Sequence, residues 1–370
     1  MKRSSVPRQL LRLLNLLVIP VTYFAAKGAA KIPGTVEAVY SGKIYPVIRS
    51  AVSQVTRLVP LPVIELIAAC FAISFVITLI VRFIRLLMRK EYAFVRLLSL
   101  FIGVVIFAAY LFPAFYIMWG FNMFRQPLEK NMELPDRQYT TEELNMVCLD
   151  LAQKAARLRD EVTVDTSGIF SADLDPMLDS VREACLRFGE QNPKFKADCP
   201  TANQLLTSEY FSRCGISGIY IFLTEEPCIN VNEPCLYLAH SAAHETAHYI
   251  GYAHEEDANF LAFLICSGSD DPNVAYSGYM HALLNCGNTL ARADKEAYNA
   301  LYGTYSDGMI ADIEDYRVHY RKYADTKTWE KSNEINDNYL KFNEQEKGVL
   351  SYQEDVALIL KYYDSIGFFG

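Results

Sequence analysis

His244, Glu245 and His248 form an H-E-x-x-H pattern, the signature of zinc peptidases. On a helix, positions four apart lie one turn above each other, so both imidazoles can bind one ion while Glu245 stands beside its open coordination site. Thr246 and Ala247 are uncharged and the segment contains no proline, which favours a helix. The spacing predicts a catalytic metal site, against the alternative of a helix-face histidine pair without metal.

Two adjacent residues, His254 and Glu255, compete to be the third metal ligand. A continuous helix would place Glu255 roughly 10 Å along the axis from His248, so the chain must turn back, and Gly251 is the natural stop. His254 would complete the metzincin spacing H-E-x-x-H-x-x-G-x-x-H. Glu255 would instead supply a carboxylate, with Asn259 on the same helix face as an amide that orients a ligating histidine. The spacing alone leaves both alternatives open.

A peptidase mechanism assigns roles to the residues around these ligands. Two imidazoles and one carboxylate would leave zinc an open site, where it lowers the pKa of a water and polarises a peptide carbonyl. Glu245 would accept the proton of that water and pass it to the leaving amine. His240, one turn before His244, is expected beside the ligands rather than among them, and Met280 is expected in the core. Residue type alone suggests five donors for the oxyanion: Tyr276, Tyr279, His281, Arg317 and His319.

The first third of the chain differs in charge from the rest. Residues 1–125 hold 15 Lys and Arg against three Glu, a net charge of +12. The whole chain carries −8, so residues 126–370 carry −20. An acidic domain of this kind is not expected to bind nucleic acid. The difference predicts a membrane anchor over residues 1–125 and a soluble domain over residues 126–370.

Three apolar segments of the anchor are predicted to cross the membrane. Residues 97–119 carry no charge and can span a hydrocarbon core of roughly 30 Å, and residues 62–84 form a second span. Residues 10–26 are interrupted by polar residues and a proline, and the absence of a clean cleavage site favours an uncleaved span over a signal sequence. Five basic residues lie at the end of span 62–84 and in its connection to span 97–119: Arg82, Arg85, Arg89, Lys90 and Arg96. The positive-inside rule then predicts a multi-pass protein of the cell membrane with its C-terminal domain outside the cytoplasm.

The distal domain is predicted to be mainly α. Thr140 and Glu143 have capping-box spacing at the start of a helix that ends near Arg159. Further helices are predicted over residues 174–188, 259–266, 280–290, 294–301, 309–320 and 329–342. Two β-prone runs, 219–223 and 228–231, flank a Glu-Glu-Pro turn and predict a hairpin before the His-Glu helix. This hairpin could bind a substrate backbone by β-addition or be purely structural.

Eight of the nine cysteines lie in the distal domain. An even number outside the cytoplasm makes one or more disulfides plausible, with buried free thiols as the alternative. The chain has no Cys-x-x-Cys pair, so zinc binding by thiolates is not favoured.

Several longer motifs carry a resemblance to a known family. They are Trp119-Gly120-Phe121-Asn122 with Arg125-Gln126-Pro127-Leu128, Gly215-Ile216-Ser217-Gly218-Ile219-Tyr220, the segment from His244 to Asn259, Tyr276-Ser277-Gly278-Tyr279, and Asn336-Asp337-Asn338-Tyr339-Leu340-Lys341. Through them nearly the whole chain resembles a bacterial membrane family catalogued as domain of unknown function 3810. The resemblance implies a membrane-anchored zinc metallopeptidase.

The family pattern also bears on the third ligand. It runs H-E-x-x-H-x-x-G-x-A-R-E-D-E-A-N, so it keeps Glu255 and Asn259 but has arginine where this chain has His254. The resemblance therefore implies Glu255 as the third ligand. This chain also exchanges the two acidic types at Glu256 and Asp257, and its histidine at position 254 keeps the metzincin-like alternative open.

These patterns together predict a mainly α protein: N-terminal transmembrane helices followed by a mostly helical zincin-like domain with a small β-hairpin. The leading hypothesis is a zinc-dependent metallopeptidase that hydrolyses an extracytoplasmic peptide or envelope protein. Its metal ligands would be His244, His248 and Glu255, its catalytic base Glu245, and Asn259 would orient a ligand. The alternative is a non-catalytic envelope scaffold or sensor with a structural zinc site. The expected partners are the lipid bilayer and a peptide or protein substrate.

Overall fold

A computed structural model of the protein describes residues 10–88, 93–324, 328–332, 334 and 355–370. The predicted motif Asn336–Lys341 and most of the predicted helix 329–342 lie outside these residues, as do Arg89 and Lys90. Within the described part the chain is mostly helical with one three-stranded sheet, which confirms the mainly α prediction and the presence of a small β element.

The first 125 residues form long helices joined by irregular helical turns. A 3₁₀ turn Arg12–Leu17, a π-helix Val36–Ile44 and a second 3₁₀ turn Gly120–Phe124 separate the α-helices. The α-helices are α1 (Val18–Ala29), α2 (Pro33–Thr35), α3 (Tyr45–Thr56), α4 (Val63–Met88) and α5 (Ala93–Met118).

Two of these helices are long and apolar enough to cross a membrane. The qualifying segments are Val63–Val81 of α4 and Leu97–Met118 of α5, with mean hydropathies of 2.6 and 2.3. They coincide with the two strong predicted spans. The segments Arg12–Ala29 and Pro33–Thr56 meet these criteria of length and hydropathy only as a pair, and the pair bends by 97° at its break. The predicted span 10–26 is therefore a third candidate span only if the bent pair is one span. Two candidate spans are compatible with membrane association.

The chain divides into two units. The first comprises Met1–Ala51, Val63–Arg125 and Phe222–Thr224, and the second comprises Val52–Pro62, Gln126–Ile221 and Glu225–Gly370. Inside the first unit, Arg125 donates two hydrogen bonds to Glu37, at 2.8 and 2.6 Å. Ser41 donates to Asn122 at 2.8 Å. Asn122 and Arg125 of the tryptophan-containing motif therefore hold the π-helix in place.

The second unit contains the remaining helices. They are α6 (Leu128–Asn131), α7 (Thr141–Arg159), α8 (Leu174–Gln191), α9 (Ser208–Cys214), α10 (Cys235–Ile250), α11 (Glu255–Ser267), α12 (Pro272–Ala293), α13 (Lys295–Tyr302), α14 (Asp307–Ala324) and α15 (Asp355–Ser365), with a 3₁₀ turn Pro193–Phe195. The predicted capping box begins α7: the Thr140 side chain accepts from the Glu143 backbone N–H, and the Glu143 side chain accepts in return from the Thr140 N–H. Helices α7, α10, α11 and α12 pack around a shared apolar core that includes Met280, as predicted.

A small sheet lies beside α10. Strands β2 (Gly218–Ile221) and β3 (Glu226–Ile229) form the predicted antiparallel hairpin, and β1 (Asn203–Gln204) pairs in parallel with β3. The turn falls before Glu226, so Glu226 and Pro227 belong to β3 and not to the turn as predicted. Pro227, which has no backbone N–H to donate, pairs with Tyr220. The order β1-β3-β2 leaves β2 at the edge of the sheet.

One disulfide, Cys185–Cys199, joins the end of α8 to the segment before β1. Most of the other described cysteines of the distal domain, including Cys148, Cys266 and Cys286, are free and buried. Both sequence expectations therefore hold, one bridge and several buried thiols.

Candidate metal centre

The chain reverses direction directly after the His-Glu helix. Gly251 has φ 107°, in the left-handed region that residues with a Cβ avoid. The N–H of Gly251 donates to the His248 carbonyl at 3.0 Å and the N–H of Tyr252 donates to the Ala247 carbonyl at 3.1 Å. This pair of hydrogen bonds is the Schellman motif, which ends α10 and lets α11 begin four residues after Gly251.

The reversal brings His244, His248 and Glu255 together. Their potential ligand atoms all lie within 4.8 Å of one another. The two Nε2 atoms are 3.1 Å apart, and the Glu255 carboxylate lies 3.2 Å from His244 Nε2 and 3.8 Å from His248 Nε2. All three side chains are largely buried. Two imidazoles and one carboxylate at this spacing could hold a metal ion.

Hydrogen bonds fix the orientation of both imidazoles. His244 Nδ1 lies 2.8 Å from the Asn259 side-chain oxygen, and His248 Nδ1 lies 2.7 Å from the Tyr252 carbonyl. Each acceptor favours the tautomer with its proton on Nδ1, which leaves the Nε2 lone pair directed into the group. Asn259, four residues after Glu255 on α11, therefore contacts one of the two histidines.

Glu245 lies against the edge strand β2. Its carboxylate accepts a hydrogen bond from the Tyr220 backbone N–H. A Cβ at Gly218 would lie 2.6 Å from Glu245 Oε1, closer than non-bonded atoms approach. The strand therefore needs glycine at this position to leave room for Glu245. Sequence reasoning did not identify Gly218 as part of the site, although a glycine inside a β-prone run is a signal of close approach.

Burial and mutual charge set the pKa values of these side chains. Burial raises the pKa of Glu245 to about 8, against the opposing effect of His244. Burial lowers the pKa of His248 to about 4. Burial also opposes protonation of His244, but the hydrogen bond and charge of Glu255 outweigh it and raise the pKa of His244 to about 9. Positive charge is thus favoured between His244 and Glu255.

His254, the rival ligand, lies outside this group. It is the N-cap residue of α11, with extended backbone angles of φ −79° and ψ 136°. Its Nδ1 is 4.0 Å from the Glu256 carboxylate, and its side chain is 25% exposed. Glu255, the first residue of α11, turns the other way into the group.

The expected oxyanion donors are dispersed. The Tyr276 hydroxyl donates to Asp312 at 2.7 Å, the Tyr279 ring packs edge-on against Phe263, and Arg317 pairs with Glu314 at 3.8 Å. His319 Nε2 lies 4.0 Å from Glu233.

His281 has a separate link to the centre. Its ring stacks on His240 with centroids 3.4 Å apart, and His240 lies one turn before His244. Burial, together with a smaller effect of His244, lowers the pKa of His281 to about 3. His281 is thus the one of the five candidates whose described contacts reach towards the metal centre, through His240.

Comparisons with known proteins give a family but no function. The model of the family described as "Protein of unknown function (DUF3810)" matches residues 40–360. No curated protein and no solved structure matches the chain.

Proposed function

The chain belongs to the DUF3810 family, and we propose that it is a membrane-anchored, zinc-dependent metallopeptidase with a zincin-like catalytic domain. Its substrate would be a peptide or an envelope protein outside the cytoplasm. The observation that carries this proposal is the convergence of His244, His248 and Glu255 with a fourth residue, Glu245, beside them and not among them. A site with three ligands and a separate carboxylate matches the needs of hydrolysis better than those of a closed structural site.

The donor set favours zinc over harder cations. Two imidazole nitrogens with one carboxylate suit zinc, whereas magnesium and calcium bind mainly oxygen. When bound, zinc polarises a scissile carbonyl and lowers the pKa of water. His244 and His248 would hold the metal. The Asn259 side chain orients the imidazole of His244, and the Tyr252 carbonyl orients that of His248.

The remaining roles fall to Glu245 and β2. Glu245 would accept a proton from the attacking water and return it to the leaving amine, because its carboxylate interacts with His244 but is not among the three converging ligands. Strand β2 is an edge strand next to Glu245, so an extended substrate could align along it by backbone hydrogen bonds. These two features favour a peptide bond as the substrate.

The place of action follows from the candidate spans and the charge pattern. Val63–Val81 and Leu97–Met118 would anchor the protein, and the basic residues between them favour a cytoplasmic connection. We therefore propose a multi-pass topology with the metal centre outside the cytoplasm.

Replacing Glu245 with Gln tests the enzyme. The full-length protein, purified in detergent and loaded with zinc, would be mixed with an extract of envelope proteins, and cleavage products mapped by mass spectrometry. Glu245→Gln should keep stoichiometric zinc but lower cleavage by about 10²- to 10⁴-fold, because it removes the proton acceptor alone. Glu256→Gln, a neutralised carboxylate outside the ligand group, is the matched control. Equal cleavage by the wild type and Glu245→Gln would refute the peptidase.

The deep burial of the centre favours one alternative, a structural zinc site in a non-catalytic envelope scaffold or sensor. Glu245 itself is only 5% exposed. A structural role predicts zinc retention and no cleavage by the wild type, and it predicts that Glu245→Gln complements a deletion strain fully. The same pair of proteins therefore separates the two functions.

A further inference from the structure

Helices α10 and α11 contact each other again beyond the metal centre. The chain reverses between them, so an earlier residue of α10 faces a later residue of α11. At the centre, His244 faces Asn259. Just over one turn before His244, the Ala239 carbonyl accepts a hydrogen bond from the Cys266 thiol at 3.7 Å. This second contact joins the two helices that carry the three proposed ligands, and the peptidase proposal gives it no role.

Helix α12 contacts α10 at the same turn. The Ser277 hydroxyl donates to the Leu236 carbonyl at 2.7 Å and accepts from the backbone N–H of His240 at 3.1 Å. These two backbone groups belong to one turn of α10, because an α-helix pairs each N–H with the carbonyl four residues earlier. Ser277 is fully buried. Its hydroxyl therefore bonds to both ends of the turn that precedes His244.

The ring of His240 is held from the same helix. His281 lies one turn after Ser277 on α12, and its ring stacks on that of His240 at 3.4 Å with an angle of 14° between the planes. The His240 ring also meets a hydrogen-bond acceptor in the backbone of Asn259. The side chain of Asn259 in turn contacts His244. His240 thus connects α12 with the residue that orients a proposed ligand.

Gly278, next to Ser277, brings α12 close to α11. A Cβ at this position would lie 2.4 Å from the Cys266 Cβ, closer than non-bonded atoms approach. Cys266 is fully buried, and protein interiors are too densely packed to absorb such an overlap. Any larger residue at position 278 must therefore move α11 and α12 apart.

The three helices consequently contact one another pairwise at one level, which we call the helix junction. It consists of Ala239, His240, Cys266, Ser277 and Gly278, all of them buried. Ser277 joins α12 to α10, Gly278 lets α12 approach α11, and Cys266 joins α11 to α10. The junction therefore sets the spacing of α10 and α11 about one turn from the metal centre.

We propose that Ser277 and Gly278 are positioning residues of the metal centre. They act through the spacing of α10 and α11, which carry the ligands, and not through a ligand atom. Metal–ligand distances are held to within about 0.2 Å, so a change of spacing by a fraction of an ångström disturbs the site. The inference rests on the metal centre of the proposed function, and it does not depend on peptide hydrolysis.

Cobalt(II) bound to the full-length protein in detergent tests the inference, because its visible spectrum reports the geometry of its ligands. Gly278→Ala should shift the spectrum and lower the affinity for cobalt and zinc by at least about tenfold. The control is Leu301→Ala, a buried residue of α13, which carries no ligand. It should lower the thermal midpoint but leave the spectrum unchanged. A lower midpoint of Gly278→Ala with an unchanged spectrum and affinity would overturn the proposal, because ordinary packing predicts that result.

A compensating substitution tests the contact itself and guards against a misfolded variant. Cys266→Gly removes the Cβ that Gly278→Ala would meet. The double variant should therefore fold and bind cobalt within about threefold of Cys266→Gly alone, since a double-mutant cycle isolates one contact. If Gly278→Ala lowers the affinity equally with and without Cys266→Gly, the contact between α11 and α12 does not position the centre.

Ser277→Ala tests the hydroxyl without adding an atom to the core. Loss of its two hydrogen bonds to α10 should lower the affinity for cobalt by about three- to tenfold and shift the spectrum. Thr289→Val is the matched control, because the Thr289 hydroxyl donates within α12, to the Asn285 carbonyl at 3.1 Å. It should change neither quantity. Equal results for Ser277→Ala and Thr289→Val would overturn the role of Ser277.

Metal binding by the wild type separates this inference from the proposed function. A wild type that binds neither cobalt nor zinc would refute the metal centre, and the positioning role with it. A wild type that binds metal but cleaves no peptide would refute hydrolysis alone, and the spectrum of Gly278→Ala would still decide the positioning role. Glu245→Gln should bind cobalt with the affinity of the wild type, whereas Gly278→Ala should not.

Discussion

Two buried clusters of charged side chains lie in the same unit and differ in the groups that face their carboxylates. In the first, Asp312 accepts hydrogen bonds from Arg159 Nε at 2.6 Å, from the Tyr276 hydroxyl at 2.7 Å and from the Phe170 N–H at 2.8 Å. Its carboxylate is surrounded by protein donors. In the second, His244, His248 and Glu255 face one another with acceptor atoms.

The difference shows why burial of charge does not identify a site by itself. A buried carboxylate with a guanidinium and two neutral donors is a satisfied structural element. Two Nε2 atoms 3.1 Å apart beside a carboxylate favour a proton or a cation between them. The three ligand-type side chains that meet there, and not the degree of burial, make this cluster one that could hold a metal ion.

The largest expected effect is a loss of stability when the cluster around Asp312 is broken. Asp312→Ala leaves Arg159 Nε, the Tyr276 hydroxyl and the Phe170 N–H without their acceptor. We expect the free energy of unfolding to fall by about 3–5 kcal/mol, measured by denaturant titration of the full-length protein in detergent. The exposed Asp315 on the same helix is the control. Asp315→Ala should change the free energy of unfolding by less than about 0.5 kcal/mol. A small effect of Asp312→Ala would show that the cluster does not hold α7 to α14.

The cluster of His244, His248 and Glu255 is expected to lose zinc affinity and not stability. Glu255→Gln removes the negative charge but keeps the shape, so the fold should remain while zinc affinity falls by at least about 100-fold. Isothermal titration with zinc measures the loss. Glu256→Gln should retain the affinity of the wild type. Stoichiometric, tight zinc binding by Glu255→Gln would mean that this carboxylate is not a ligand and that the comparison between the clusters fails.

A smaller loss of zinc affinity is expected at Asn259, which contacts a proposed ligand and not the metal. Asn259→Ala removes the acceptor for His244 Nδ1, and loss of such a partner costs about 10- to 100-fold in metal affinity. Asn259→Asp keeps an acceptor at this position and should bind zinc at least ten times more tightly than Asn259→Ala. If both variants lose affinity equally, Asn259 acts through packing of α11 and not through the imidazole.

Local rules account for what the sequence could predict of these regions. The helix that carries His244 and His248 and its end at Gly251 follow from spacing and from glycine's left-handed conformation. The capping box at Thr140 and the hairpin are likewise local. The sequence does not predict strand β1, because a two-residue strand has no periodicity and its partners in β3 lie 25 residues further along the chain. The predicted fold was therefore correct where short-range interactions determine it.

Non-local contacts account for the rest. Tyr276 qualified as an oxyanion donor by type, but its hydroxyl donates to Asp312, 36 residues away. Gly218 belongs to the site only because Glu245 folds against it, which no spacing in the chain reveals. The local spacing of His254 and Glu255 does not decide which of the two side chains points inward, because that depends on the backbone angles at the helix start.

His254→Ala should have the smallest effect. His254 has extended backbone angles at the N-cap, whereas Glu255 is already helical. The side chains of these two adjacent residues therefore leave α11 in different directions. The positive end of the α11 dipole also favours the carboxylate of Glu255 at the first helical position. Zinc affinity of His254→Ala should therefore stay within about twofold of the wild type, compared with the loss of about 100-fold in Glu255→Gln. A reversed order of the two variants in the same titration would make His254 the third ligand and the centre metzincin-like.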